Sequence, residues 1–348
     1  MGDGHVMPIN SFAGAIALLF LIGAGQPAAA QIAIKFTLDW KFQGPTAEFI
    51  VAKEKGYFEQ EGLDVTIDSG NGSGGAVTRV ASGAYQMGFA DINTLVEFLV
   101  NNPRRPVKAV LMLYDAPPFG IYALKSSGIR TPKDLVGRRL GAPVFDASYK
   151  LFPAFARQVG INPDAVRWIH MDPPLREAML VRGDVDAITG HDFSTVLDLM
   201  AKGVARDDIV TMLYSDYGLD FYGNAVIASG AFIGKHPDAI AGFDRAVARG
   251  LKDTIADPAA AVAMVAAYDP LIDQKLEVER LNMAIARNIL TPHVKQAGFG
   301  DIDEARMKHA IDQLALALNL KTKPTVADIW TDAFLPAPKL RQLVGKGT

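Results

Sequence analysis

Residues 32–70 read as strand, helix and strand: "IAIKFTLDW" (32–40), "PTAEFIVAKEKGYFEQEG" (45–62) and "LDVTIDSG" (63–70). The outer two runs are β-rich. In the middle one Pro45 starts a helix, Phe49, Ala52 and Tyr57 lie close to one face, and Gly62 closes the turn after it. Such a βαβ unit predicts an α/β fold with a largely parallel sheet. The junction "LDWKFQGP" (38–45) puts an acid and an indole, Asp39 and Trp40, where the first strand ends. Open α/β sheets hold ligands at strand ends that feed helices. The competing reading makes Trp40 a core aromatic and Asp39 a turn residue.

The alternation continues outward. A glycine-rich entry opens a helix at "GSGGAVTRVASG" (72–83), followed by the strand "YQMGFAD" (85–91) and the helix "INTLVEFLVNN" (92–102). "VKAVLMLY" (107–114) and "FGIYALKSS" (119–127) are strand-like. A second set begins at "TPKDLVGRRLGAPV" (131–144) and runs through "SYKLFPAFARQVG" (148–160, helix), "AVRWIHM" (165–171, strand), "PLREAMLVRG" (174–183, helix), "VDAITG" (185–190, strand) and "FSTVLDLMAKG" (193–203, helix). "YGNAVIASGAFI" (222–233) is again strand-like, and from His236 onward the chain is nearly all helical. A helical tail needs a sheet to pack on, and the first domain supplies one. The chain is therefore expected to cross into a second domain and return, with linkers near 124–128 and 220–226. The expected division is 31–125 for lobe 1, 126–224 for lobe 2 and 225–348 for the return to lobe 1.

The 348 residues are enough for two domains, and a formal charge of −3 gives no attraction to nucleic acid or an anionic membrane. The first 30 residues read as a signal peptide. "FAGAIALLFLIGAG" (12–25) is shorter than the roughly 20 residues of a spanning helix, and Ala28-Ala29-Ala30 offers cleavage before Gln31. The leading "MGDGHVMPINS" has no Lys or Arg, so translation starts at Met1 with an atypical leader or at Met7. Cysteine is absent, which excludes disulfides, thiolate metal sites, thiol nucleophiles and a lipid-anchoring thiol. The expected product is a soluble, monomeric protein of the periplasm.

Candidate ligand-binding residues fall at strand ends. Asp39, Trp40 and Gln43 follow the first strand, and Asn71, Ser73 and Gly74 lie in "SGNGSGG" (69–75) after the second. Backbone N–H groups in such a glycine-rich run can face a ligand. Asp91 and Asn93 follow the third strand, although helix capping explains such residues equally well. Tyr114 follows the fourth. The second domain adds Asp146, Ser148, His191 and Asp192, and the return linker adds Tyr222 and Asn224. These loops are rich in acids and aromatics, with only Lys41 inside one and Lys150 just past another. The bias favours a flat heteroaromatic with amino or ring N–H donors over a purely anionic ligand. Metal-binding histidine spacings, a nucleotide P-loop and a Gly-x-Ser-x-Gly elbow are all missing, so no catalytic residue, metal or cofactor is expected.

"FIVAKEKGYFEQEGLDVTI", "GAYQMGFADINTL", "GIRTPKDLVGRRLGAP", "GDVDAITG", "HPDAIAGFDRAVARGLKDTIADPAAAV" and "TDAFLP" together resemble the substrate-binding proteins of nitrate, sulfonate, taurine and thiamine-pyrimidine ABC importers. "AKEKGYFEQEGLDV" is the most specific of these blocks. The resemblance implies a two-domain periplasmic-binding-protein (Venus flytrap) fold of type II with two crossings. It also implies a membrane permease as partner, driven by a separate ATPase. "DAPPFGIYALKSSGI" and the Asp39–Trp40 opening look like the thiamine-pyrimidine branch, which includes a pyridoxal-dependent pyrimidine synthase. That synthase carries a Lys and a His where this chain has Ala90 and Asn93, and a cysteine cluster where it reads "DYGLDFYGN". A binding protein is therefore expected, not an enzyme. The same fold binding a small sulfonate, taurine or nitrate is the alternative, with the synthase and a kinase-docked sensor as weaker readings.

Overall fold

The computed structural model describes residues 1–5 and 30–343; the core of the expected signal peptide and the last five residues lie outside the described residues. From Gln31 onward the chain folds as two five-stranded sheets, each wrapped by helices. The first sheet contains β1 (Ile32–Thr37), β2 (Leu63–Asp68), β3 (Met87–Asp91) and β4 (Val107–Met112). The second contains β5 (Phe119–Leu124), β6 (Arg139–Ala142), β7 (Arg167–His170), β8 (Ala187–His191) and β9 (Ile209–Leu213). The chain then returns as β10 (Asn224–Ser229), which inserts between β3 and β4.

The opening βαβ unit forms as its pattern dictates. β1 pairs with β2 in parallel from Ile32↔Leu63 to Thr37↔Asp68, and helix Ala47–Glu54 crosses between them. Each sheet is mixed, with four of its five strands running the same way and one against them. β10 runs antiparallel to β3 and β4, and β5 runs antiparallel to β8 and β9. The cause is the crossing itself: β4 ends at the cleft between the lobes, so the next strand enters the second sheet from the cleft and must run away from it. β10 enters the first sheet in the same way.

This insertion also moves the expected crossing. β5 hydrogen-bonds within the second sheet, so the first passage lies at 113–118, upstream of the expected 124–128. The return occupies 214–223, just before the strand that Asn224 opens. The run "GAFI" continues as helix Gly230–Lys235, capped by Ser229, and not as strand.

Burial follows from composition. Phe36 packs against Phe49 and Phe243 with ring centroids 4.7 and 5.0 Å apart, filling the space between sheet and the helices Ala47–Glu54 and Pro237–Ala256. The aromatic chain continues through Phe89, 5.1 Å from Phe49, to Tyr114, 5.3 Å from Phe89. Tyr114 then touches Phe193 of the other lobe at 6.1 Å. Rings of this size dominate core energetics, so the lobe-1 core ends directly on the cleft wall.

Candidate functional site

The strand ends of both sheets meet at one partly open cavity in the cleft. Lobe 1 contributes Asp39, Trp40, Gln43, Thr46, Ser73 and Tyr114; lobe 2 contributes Asp146, Arg176, His191, Phe193 and Ser194. Aromatic walls with a few directed polar groups are the lining of a small-molecule site.

Asp39 leaves β1 immediately before the Gly44-Pro45 turn and is buried. Its Oδ2 accepts from Asn224 Nδ2 at 2.7 Å and from Ser73 Oγ at 3.5 Å, and Ser73 Oγ in turn accepts from Asp91 N–H at 3.0 Å. Burial raises the Asp39 carboxyl to about 7, against the hydrogen bond from Asn224, and the Asp146 carboxylate of the other lobe pushes the same way. Trp40 is partly exposed and lies under the Arg176 guanidinium, 5.4 Å from the ring centroid. Gln43 Oε1 accepts from Ser194 Oγ of lobe 2 at 3.1 Å, which leaves its amide N–H₂ for other partners.

In lobe 2, Asp146 caps the helix Ala147–Lys150 by accepting from Tyr149 N–H, and its Oδ2 accepts from Arg176 Nη1 at 3.2 Å. Arg176 is fully buried and also bonds Glu177 Oε1 at 2.7 Å. Burial works against its charge, but Glu177 and Asp146 outweigh that and hold it above the ordinary arginine value. His191 ends β8, and desolvation lowers its imidazole to about 4, so it is neutral at pH 7. The cavity thus shows two acidic groups from opposite lobes, one arginine already matched by carboxylates, a neutral imidazole and aromatic walls.

Asp39, Trp40, Gln43, Ser73, Tyr114, Asp146 and His191 come together on this lining. The other expected contacts are occupied elsewhere. Asn71 lines an adjoining outer compartment, and Gly74 N–H donates to Phe145 O across the cleft. Asp91 caps helix Ile92–Asn101 through Thr94 N–H, and Asn93 Nδ2 donates to Asp91 and to Tyr222 O. Ser148 Oγ donates to Gly190 O, Asp192 accepts from Arg287, and Tyr222 hydroxyl accepts from Asp303 N–H. Asn224 acts through Asp39, which it orients.

The glycine-rich run also departs from expectation. Gly70, Gly72, Gly74 and Gly75 donate their N–H groups to Trp40 O, Asp39 O, Phe145 O and Gly72 O, so these four donors are spent within the protein. Gly72 has φ of 131°, and a Cβ there would meet Phe145 O at 2.3 Å. Glycine at 72 therefore serves the close approach of the two lobes. Arg176 went unmarked because "PLREAMLVRG" reads as an ordinary surface helix; only the cation's need for buried carboxylates signals its role. Among the described residues no group of three His, Cys, Asp or Glu side chains is placed to hold a metal ion.

Two lobes with a cleft at the strand ends define a periplasmic-binding-protein-like fold. The solved alkanesulfonate-binding protein SsuA from Xanthomonas axonopodis pv. citri shares it, with TM-score 0.65 and 17% identity, covering 86% of this chain and 98% of that one. The chain belongs to the family described as "NMT1/THI5 like", which matches residues 44–261. Similar relatives include the 4-amino-5-hydroxymethyl-2-methylpyrimidine phosphate synthase of Aspergillus parasiticus, 28% identical over 70% of this chain and 70% of that one. The riboflavin-binding protein RibY of Chloroflexus aurantiacus is 26% identical over 83% and 82%. The formylaminopyrimidine-binding protein of Halalkalibacterium halodurans is 26% identical over 78% and 84%.

Proposed function

We propose that this chain is the exported solute receptor of an ABC importer, closing over a small planar nitrogen heterocycle of the thiamine-pyrimidine kind and passing it to a permease. One observation carries the reading: carboxylates from opposite lobes, Asp39 and Asp146, face the same aromatic-walled cavity. Arg176 and Tyr149 N–H already donate to Asp146, and Asn224 to Asp39; the acceptor capacity the two acids keep favours a ligand that donates hydrogen bonds toward both lobes. An aminopyrimidine supplies amino N–H donors at the edge of a flat ring, and contact with both lobes is what biases a hinge toward closure. The names of the pyrimidine- and riboflavin-related relatives support a ring of this class.

The sulfonate or nitrate reading is less favoured, because three of the four backbone N–H groups of "GSGG" (72–75), those of Gly72, Gly74 and Gly75, are spent within the protein and Arg176 is matched by two carboxylates. The synthase reading is weakened at the positions where its pattern has Lys and His. Ala90 and Asn93 are fully buried, and Asn93 is engaged with Asp91 and Tyr222. Incubation with pyridoxal phosphate tests that reading: a lysine-imine absorbance band would revive it. Calorimetric titration tests the proposal itself. Aminopyrimidines should bind, and taurine, alkyl sulfonates and nitrate should not; the reverse ranking would overturn it.

A further inference from the structure

Beyond the inner cavity lies a second, larger and partly open compartment, bounded by both lobes. The two share Trp40, Lys41 and Arg176, so the stacked indole and guanidinium form the partition between them. We infer that the outer compartment is a subsite for an uncharged, hydroxyl-rich extension of the ligand, a polyol or glycosyl group carried by the heterocycle. This rests on the reading of the inner cavity as a heterocycle pocket.

Charge defines the class. Three cations, Lys41, Arg176 and Lys202, face three anions, Asp172, Glu177 and Asp198. Arg176 is matched by Glu177 at 2.7 Å and Asp146 at 3.2 Å, and Asp198, held by Arg280 at 2.7 Å, also lies 3.8 Å from Lys41. Asp172 and Lys202 complete the lining, with Asn71 on the lobe-1 side: with Asp146 and Arg280 included, four cations meet four anions, which leaves no surplus cation for a phosphate. Between these polar groups stand the apolar surfaces of Trp40, Pro173 and Pro174. A sugar or polyol has C–H faces for such surfaces and hydroxyls that both donate and accept.

The test uses matched pairs that share a ring and differ in the extension: cytosine with cytidine, and lumiflavin with riboflavin. Calorimetry should show the member bearing the ribosyl or ribityl group binding about tenfold tighter or better. Cytidine 5′-monophosphate should bind no tighter than cytidine. The double variant Asp172→Ala/Lys202→Ala, at two exposed positions, should bring each pair's ratio toward one. Equal affinity within a pair in the wild type overturns this inference while the heterocycle pocket stands. Tighter binding of the monophosphate overturns the assignment to an uncharged group. If no ring compound binds, the heterocycle reading and this inference fall together.

Discussion

Asp39 carries the electrostatics of the cleft, and its protonation gives a testable pH dependence. Burial holds it at about 7, compared with an ordinary value of 3.8. Between about pH 4 and 7 the folded state therefore keeps a proton that the unfolded chain has released, so stability falls as pH rises through that window and levels off above it. Burial also raises Glu48 to about 8 and Asp91 to about 6, so Asp39 accounts for one share of the slope. Asp39→Asn should flatten the decline in melting temperature of the ligand-free protein from pH 5 to pH 8; an unchanged slope would contradict the assignment. Assayed above pH 7, where the Asp39 carboxyl is ionised, the same variant should weaken binding of an aminopyrimidine, which loses a pure acceptor, and strengthen binding of any anion. Trp40→Ala gives the companion result. A partly exposed wall of the cavity should cost about 1–3 kcal/mol of binding when removed, the range for aromatic stacking on flat bases. A core tryptophan would instead cost about 3–5 kcal/mol of folding stability, read from denaturant titration.

At the scale of elements, helix Asp192–Ala201 of lobe 2 joins ligand contact to closure. Its first turn supplies Phe193 and Ser194 to the cavity, and its flanks are gripped by lobe 1. Arg280, on helix Gln274–Ala284, donates to Phe193 O at 2.9 Å and to Asp198 Oδ1 at 2.7 Å. Arg287, in the π-helical turn Ile285–Ile289, donates to Asp192 Oδ2 at 2.9 Å. Arg280 is 1% exposed, so Arg280→Ala strands Glu277 and Asp198 and should cost about 3 kcal/mol or more of the closed form. Arg287 is half exposed, and Arg287→Ala should cost about 1 kcal/mol. Neither residue lines the inner cavity, so both variants should weaken binding through a more open average shape. Small-angle scattering would show this as a larger radius of gyration in the absence of ligand. Weakened affinity with an unchanged radius would mean that these arginines do not control closure.

At the scale of the molecule, the proposed export would place the cleft outside the cytoplasm. Mature protein isolated from the periplasm should begin at Gln31; N-terminal sequencing that returned Met1 or Met7 would overturn both the leader and the compartment. The expected division of the chain depended on counting strands, and there local reading reached its limit. "IAIKFTLDW", the helix from Pro45 and "LDVTIDSG" carry their periodicity within a few residues, and the α/β class with a crossing and a return follows from it. So do the strand-end acids and the indole, because strand ends are visible as breaks in pattern. What tertiary structure alone decided is direction and partnership. "FGIYALKSS" is equally strand-like in either sheet; its place as an antiparallel strand in the second follows from where the chain enters, a fact about the whole path. Arg176 is one polar residue on a short helix until Asp146, 30 positions earlier, comes within 3.2 Å of it. Asp91 and Asn93 look like ligand contacts until local capping and the returning strand consume their hydrogen bonds. Periodicity is a local property of the chain, whereas the charges and donors left free in a cleft depend on long-range contacts that no short window contains.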